Sequence, residues 1–384
     1  MGTARERYQA SLALAYICHS GGQALLRLLK KRSPEELWTA SREILVADDM
    51  NEAAAERFIA ARRDQVWQEA QRRLNETATR FVPFGGQSYP EQLMSLSHPP
   101  AGLFFKGDEE RLEALGRVPR VTVVGTRRAT AYGTRAARDF ASAFAARGIA
   151  VVSGMALGID GRSHEAALEA GGMTAAVLGC GADVVYPPRH RGLYRLIVQK
   201  GVVFSELPPG APPTTWTFPN RNRILAALGD AAVVIEGSHT SGAMQTADQA
   251  AGLGRPVFAV PGPIYAETYR GCNLLIRDGA IPALEIEATV EEFLLQTRIE
   301  RGERRAPEPE GGSRRCGFGQ DPFRELVLAG REAILEAMGD RPCSIDALVL
   351  RTGMTARQLS AALAELELAG LVTRAGPGQY IRAP

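Results

Sequence analysis

Through the first 80 residues, apolar positions recur at helical spacing. Leu12, Ala15 and Tyr16 share one face, and Leu25, Leu26 and Leu29 share another. A period near 3.6 predicts amphipathic helices. Gly21-Gly22 separates the first two. Ser33-Pro34-Glu35-Glu36 reads as an N-cap followed by proline at the first helical position. A long charged helix is expected over about 51–75. Residues 1–80 are therefore predicted to form a small helical module of the kind that mediates contacts.

From Arg120 the pattern changes. Short, continuous apolar runs alternate with helical stretches: VTVVG (121–125), IAVVSG (149–154), TAAVLG (174–179), GVVF (201–204), AAVVIEG (231–237) and PVFAVPG (256–262). Helices are expected between them, for example over 133–147 and 163–170. Strands apolar on both faces predict a parallel sheet covered by helices on both sides, an α/β fold occupying 81–297. In such sheets ligands bind beyond the carboxyl ends of the strands. Several runs end in glycine, so the polar residues just after those glycines form the candidate site.

Residues 298–320 (RIERGERRAPEPEGGSRRCGFGQ) carry no apolar period and read as a flexible linker. Helical stretches then come over 323–338, 344–351 and 356–368, the last opened by a Thr355/Gln358 capping box. LVTR, GPGQ and YIRA make a short hairpin. Three helices and a hairpin in 321–384 look like a winged-helix domain.

Composition narrows the function. A length of 384 residues suits two or three domains. No apolar run approaches the ~18 residues of a membrane span. The N-terminus, MGTARERYQA, lacks the apolar core of a secretion signal. Cysteines 18, 180, 272, 316 and 343 are odd in number and scattered, which suits reduced thiols in a cytoplasm. The net charge of +2 excludes a protein basic all over and leaves room for a local basic groove. Only four of the 45 basic residues are lysine (30, 31, 106, 200), so most of the positive charge sits on planar forks that grip phosphate in two places.

Four clusters carry candidate chemistry. Gly125-Thr126-Arg127-Arg128 ends a strand and leads into a helix. It reads either as a phosphate cradle or as a plain strand-to-helix turn. Tyr186-Pro187-Pro188-Arg189-His190-Arg191 holds two arginines on a stiff backbone, and a solvated loop is an equal reading. Phe218-Pro219-Asn220-Arg221-Asn222-Arg223 puts an aromatic ring beside two arginines and two amides, the combination that single-strand binding requires. Ion-paired arginines at a helix start are the alternative there. In Glu236-Gly237-Ser238-His239-Thr240-Ser241-Gly242-Ala243-Met244-Gln245-Thr246 a strand ends and a polar loop leads to a helix near Ser241-Gly242. This is another phosphate-type start, with hydroxyls as added donors.

Other chemistry is not implied. Gly125 to Gly133 has the wrong spacing for a P-loop, and no Gly-Lys-Ser/Thr follows. Gly179-Cys180-Gly181 is an incomplete dinucleotide fingerprint with Val184 where the third glycine belongs. No cofactor is expected. Histidines 19, 98, 164, 190 and 239 fall in no metal-ligand spacing and CxxC is absent, so no metal site is expected. Asp160 and His164 stand four apart, and a capped helix start is a better reading of them than an acid–base pair.

The segments VGTRRATAYG, VSGMALGIDGRSHEAAL, AVLGCGADVVYP, FPNRNRI, SGAMQTA and GRPVFAVPG, in this order and spacing, resemble the DNA-processing protein A family (DprA, also called Smf) across about residues 85–297. The resemblance implies a cytoplasmic, homodimeric recombination mediator of natural transformation. Such a protein binds and protects incoming single-stranded DNA and helps load the RecA recombinase. It has a Rossmann-like core, an N-terminal SAM-like helical domain, a C-terminal winged helix and no known enzymatic activity. Arg127, with Gly125 and Thr126, matches the family's central DNA-contacting arginine. Phe218, Arg221, Asn222 and Arg223 match its FPxRNR segment, and Ser241, Gly242 and Thr246 its SGxxxTA loop. The family's lysine after Tyr-Pro is Pro188 here, which leaves Arg189 or Arg191 to substitute. Ala251 and Ile276 fall on the relatives' dimer face.

Two rivals remain. A nucleotide-processing phosphoribohydrolase would show PGGxGTxxE, and Pro261-Gly262-Pro263-Ile264-Tyr265-Ala266-Glu267 lacks the second glycine and the Gly-Thr. A duplex-binding regulator would read DNA with 356–368, where Arg357 stands against Glu365 and Glu367. That balance favours protein contact or an auxiliary role.

Overall fold

The computed structural model describes residues 4–18, 23–62 and 66–300, and beyond them 343–352, 372–376, 379–382 and six helical positions between 334 and 366. The N-terminal part holds α1 (Ala4–Cys18), α2 (Gln23–Leu28), α3 (Pro34–Thr39), α4 (Arg42–Ala47), α5 (Glu52–Arg62) and α6 (Val66–Thr77). The cap at Ser33 is a full capping box, with Glu36 N donating to Ser33 Oγ and Ser33 N to the Glu36 carboxylate. Of the helix expected over 51–75, the described residues give α5 and α6, and 63–65 lie outside them. Ala55 and Phe58 are the buried pair of α5, Ala70 and Leu74 that of α6.

These helices pack on the sheet. Leu12, Leu25, Leu45, Phe58 and Leu74 form one apolar cluster with Phe81, Ala101, Phe104 and Ala182. Met1–Arg305 makes one compact unit and Ala306–Pro384 a second.

The expected sheet has nine strands: β1 (Arg80–Pro83), β2 (Gly102–Lys106), β3 (Arg120–Val124), β4 (Ala150–Ser153), β5 (Thr174–Val177), β6 (Val202–Ser205), β7 (Ala231–Val234), β8 (Val257–Ala259) and β9 (Ile281–Pro282). Their order is β1-β2-β6-β5-β4-β3-β7-β8-β9. β1 and β2 are antiparallel strands at one edge and the other seven run parallel. Alternation along the strands feeds two apolar layers. In β4, Ala150 and Val152 join the layer of Leu225, Ala243 and Ala247, while Val151 joins that of Phe140, Phe144 and Phe293.

The covering helices are α7 (Glu109–Arg117), α8 (Ala131–Ala146), α9 (Ile159–Glu169), α10 (Arg191–Lys200), α11 (Thr217–Leu228), α12 (Gly242–Gly252), α13 (Glu267–Arg277) and α14 (Ile286–Glu300). From β3 the chain steps outward through β4, β5 and β6, then returns to place β7 on the other side of β3. After β3 it passes to α8 on one face, and after β7 to α12 on the other. The two departing loops leave a crevice between them, the usual ligand position in such sheets. Residues 298–300 continue α14, so the first three positions assigned to the linker are helical; the rest of 298–320 lies outside the described residues.

In the second unit, α15 (Ile345–Thr352) accompanies a sheet of β10 (Cys343–Ser344), β11 (Val372–Gly376) and β12 (Gln379–Arg382), ordered β10-β12-β11. Ile334, Met338, Leu348, Leu363 and Val372 share its core. The Thr355/Gln358 capping box and the charges at Arg357, Glu365 and Glu367 lie outside the described residues.

Candidate functional site

The carboxyl ends of β3, β4, β5 and β7 open onto a cleft of about 630 Å³. Gly125, Thr126, Arg127, Phe218, Arg221, Asn222, Ser241, Gly242 and Thr246 all line it. Residues from three separate stretches of sequence therefore meet at one rim, because the strand order reverses between β3 and β7.

Arg127 is exposed at the mouth, on a loop tied down by its neighbours. Thr126 N donates to Glu236 O at 2.7 Å, and Ile159 N donates to Thr126 O at 3.2 Å. The Arg127 guanidinium lies 5.1 Å from the centre of the Phe218 ring, a cation–π pair that aims the fork across the cleft. Phe218 leans on Tyr186, with ring centres 5.4 Å apart. Behind it is Gly179, where a Cβ would come within 2.8 Å of the ring.

Arg221 forms part of the floor and is buried. Its Nη1 donates to Gly154 O at 2.9 Å and also to Val177 O, and its Nε donates to Asn222 Oδ1 at 3.3 Å. The guanidinium lies so close to Gly154 that a Cβ there would sit 2.4 Å from Nη1. Burial pulls the Arg221 pKa down to about 10 against the opposing field of Asp160, so it stays charged at neutral pH. Asp160 Oδ2 accepts from Gly154 N at 3.2 Å and from Ala156 N at 3.4 Å, and burial pushes its carboxyl pKa up. Among the described residues, no carboxylate lies at ion-pair distance from Arg127 or Arg221.

Arg223 leaves this group. Two residues along a helix turn the side chain about 200°, to the opposite side of α11. There its Nη2 donates to Glu206 Oε1, and 14% of the side chain is exposed. Arg189 and Arg191 are exposed at the start of α10 and do not line the cleft. Ser241 is the N-cap of α12, and its Oγ is buried with no hydrogen-bond partner among the described residues. Thr246 Oγ1 donates to Gly242 O at 3.4 Å. Ala251 is exposed at the end of α12, and Ile276 on α13 is half-buried against the core.

Several residues of this site were not singled out from sequence. Gly154, Gly158 and Gly179 admit neighbours that a side chain would exclude; Gly158, at φ 79°, would place a Cβ 2.3 Å from Thr126 O. The spacing within VSGMALGID was the available signal. Asp160 and His164 do not pair. His164 is fully buried, with Nδ1 2.6 Å from Thr174 Oγ1, and burial lowers its pKa to about 3.

Glu236 opens the fourth cluster, and its role was not legible there. At the start of α8, Thr130 N and Oγ1 both donate to Glu236 Oε2 at 3.0 Å. Gly133 leaves room for it, since a Cβ there would lie 1.9 Å from Oε2. The first helix start after the central strand, where such folds seat a nucleotide phosphate, is filled by the protein's own carboxylate.

The chain is similar to known proteins in sequence and in fold. The family model described as DNA recombination-mediator protein A matches residues 80–294, and that of the DprA winged helix domain matches 328–378. Protein Smf of Escherichia coli (strain K12) is 36% identical over 306 residues, spanning 79% of this chain and 77% of that protein. The X-ray structure of DNA processing protein A from Streptococcus pneumoniae superposes with a TM-score of 0.64 at 30% identity, covering 76% of this chain and 99% of that one. DNA processing protein A from Helicobacter pylori, in a structure described by its single-stranded DNA binding mode, gives a TM-score of 0.51 at 28% identity, covering 56% of this chain and 96% of that one.

Proposed function

This chain belongs to the DNA recombination-mediator protein A family, and on that premise we propose that it binds single-stranded DNA along the carboxyl rim of its sheet. The observation that carries this is the Arg127–Phe218 pair above the buried Arg221, which among the described residues has no carboxylate at ion-pair distance. The Arg127 fork and the α12 start hold phosphates, and an unstacked base rests on Phe218. A duplex cannot splay a base onto that ring, which is the source of the strand preference. Contacts to the backbone make binding nearly independent of sequence. The single-stranded DNA binding of the Helicobacter pylori relative supports this reading.

In this role the protein is a mediator and not an enzyme. It protects incoming DNA in the cytoplasm during natural transformation and helps load the RecA recombinase. It acts as a homodimer through the face of Ala251 and Ile276. The cradle filled by Glu236 supports a binder over a nucleotide-processing enzyme, because a nucleotide phosphate would have to displace a carboxylate held by two donors.

The test is Arg127→Ala in a single-stranded oligonucleotide binding assay. Losing a charge-assisted contact of about 1.5 kcal/mol or more weakens binding about tenfold. Because Arg127 is exposed, the melting temperature stays unchanged. A folded variant with wild-type affinity overturns the assignment.

A further inference from the structure

Arg223, turned away from the cleft, lies in the wall of a second groove. This groove of about 490 Å³ lies on the far side of α11, between the N-terminal helical layer and α12. Lys30, His98, Asn220, Arg223 and Gln249 line it, and no aspartate or glutamate does. Pro219 lines both the cleft and the groove, so the two are continuous over one residue.

Arg223 is itself tied to Glu206, and the other charges at the groove are held open. Lys31 is paired with Asp49 at 2.9 Å, and Arg32 is paired with Asp48. Among the described residues, their neighbours Arg27 and Lys30 have no carboxylate at ion-pair distance. Arg27 Nε donates instead to His98 Nε2, and His98 Nδ1 stands 2.8 Å from Ser97 Oγ, which makes the imidazole a neutral spacer that steers the guanidinium. Burial and the converging fields of Arg27, Arg223 and Lys30 hold the His98 pKa below its ordinary value. Nη1 of Arg223 and Oε1 of Gln249 are both buried without a partner among the described residues, a donor and an acceptor in one wall. A polyanion with polar side groups would satisfy all of these.

We propose that this groove is a second subsite for the same DNA strand: the strand leaves the cleft over Pro219 and runs onto the N-terminal helical layer, where Arg27 and Lys30 take its phosphates. The inference rests on the function proposed above. Continuity with the cleft favours a nucleic acid over a phosphorylated peptide. It also gives the N-terminal helices a part in binding that their sequence alone did not indicate.

Strand length tests this. Oligothymidylates of about 6 and about 20 nucleotides bracket what the cleft alone and the cleft plus the groove would hold. The full-chain variant Arg27→Gln/Lys30→Glu alters only exposed side chains outside the cleft. It should bind the long strand about tenfold more weakly and the short one within about twofold of wild type, and its salt slope on the long strand should shrink by roughly 0.7 per phosphate lost. Arg127→Ala should weaken both lengths. Equal affinity for the long strand in variant and wild type, or an equal loss on both lengths, overturns the groove while leaving the cleft standing. Unchanged binding of both strands by Arg127→Ala overturns the cleft instead. A phosphoserine peptide that binds wild type and not the groove variant, with DNA binding intact, would reassign the groove to a protein partner.

Discussion

Three arginines expected to act alike have three different surroundings. Arg127 is exposed and aimed by an aromatic ring, Arg221 is buried on backbone carbonyls, and Arg223 is tied to a carboxylate. Arg221 is therefore as much a part of the fold as of the site. Replacing it by methionine leaves the carbonyls of Gly154 and Val177 without their charged donor, at about 3 kcal/mol of stability. Urea denaturation should show that loss; a variant as stable as wild type would contradict the buried geometry. His164 gives a pH prediction. Its pKa is about 3 in the folded state and near the usual ~6.5 in the unfolded chain. Between those values the unfolded state binds the extra proton, so stability rises with pH across the window. Acidifying below about 6.5 should lower stability by up to about 1.4 kcal/mol per pH unit from this group. His164→Gln should flatten that part of a plot of denaturation midpoint against pH.

At the scale of elements, the strand ends matter more than the strands. Six of the seven parallel strands are apolar runs visible in the sequence, β9 being the exception, and the residues just past their ends decide the chemistry. Gly179, just after β5, backs Phe218. Gly179→Ala would put a methyl group 2.8 Å from the ring and push Phe218 off its seat. Base stacking is worth about 1–3 kcal/mol per base, so anisotropy with a single-stranded oligonucleotide should show about tenfold weaker binding. Melting should change little, because the ring is only half-buried. The pattern of glycines after strands was visible in the sequence, and their purpose was not. Gly154 reads as an ordinary turn residue until the guanidinium of a residue 67 positions away is found against it.

At the scale of the whole molecule, a net charge of +2 coexists with a cleft and a groove lined by cations. Association should accordingly depend on salt. If about three phosphates are neutralised, log affinity should fall against log salt with slope roughly −2; a slope near zero would remove the electrostatic account. The compact unit Met1–Arg305 contains both the cleft and the groove. A chain ending at Arg305 should bind single-stranded DNA within about twofold of full length, and loss of most affinity would show that the C-terminal unit carries binding.

The sequence by itself determined the α/β class, the strand runs and the six motifs of the family, because period and short motifs are local properties. It also placed Gly125–Arg127, Phe218–Asn222 and Ser241–Thr246 among the candidates, and these converge in one cleft. Only the tertiary structure decided which arginine faces which partner. Only it decided that Glu236 fills the helix start opened by Thr130, across 106 positions of sequence. And only it joined Lys30 to α11 in one groove. Those outcomes depend on contacts between distant residues, set by how the helices close over the sheet, and no local pattern carries that information.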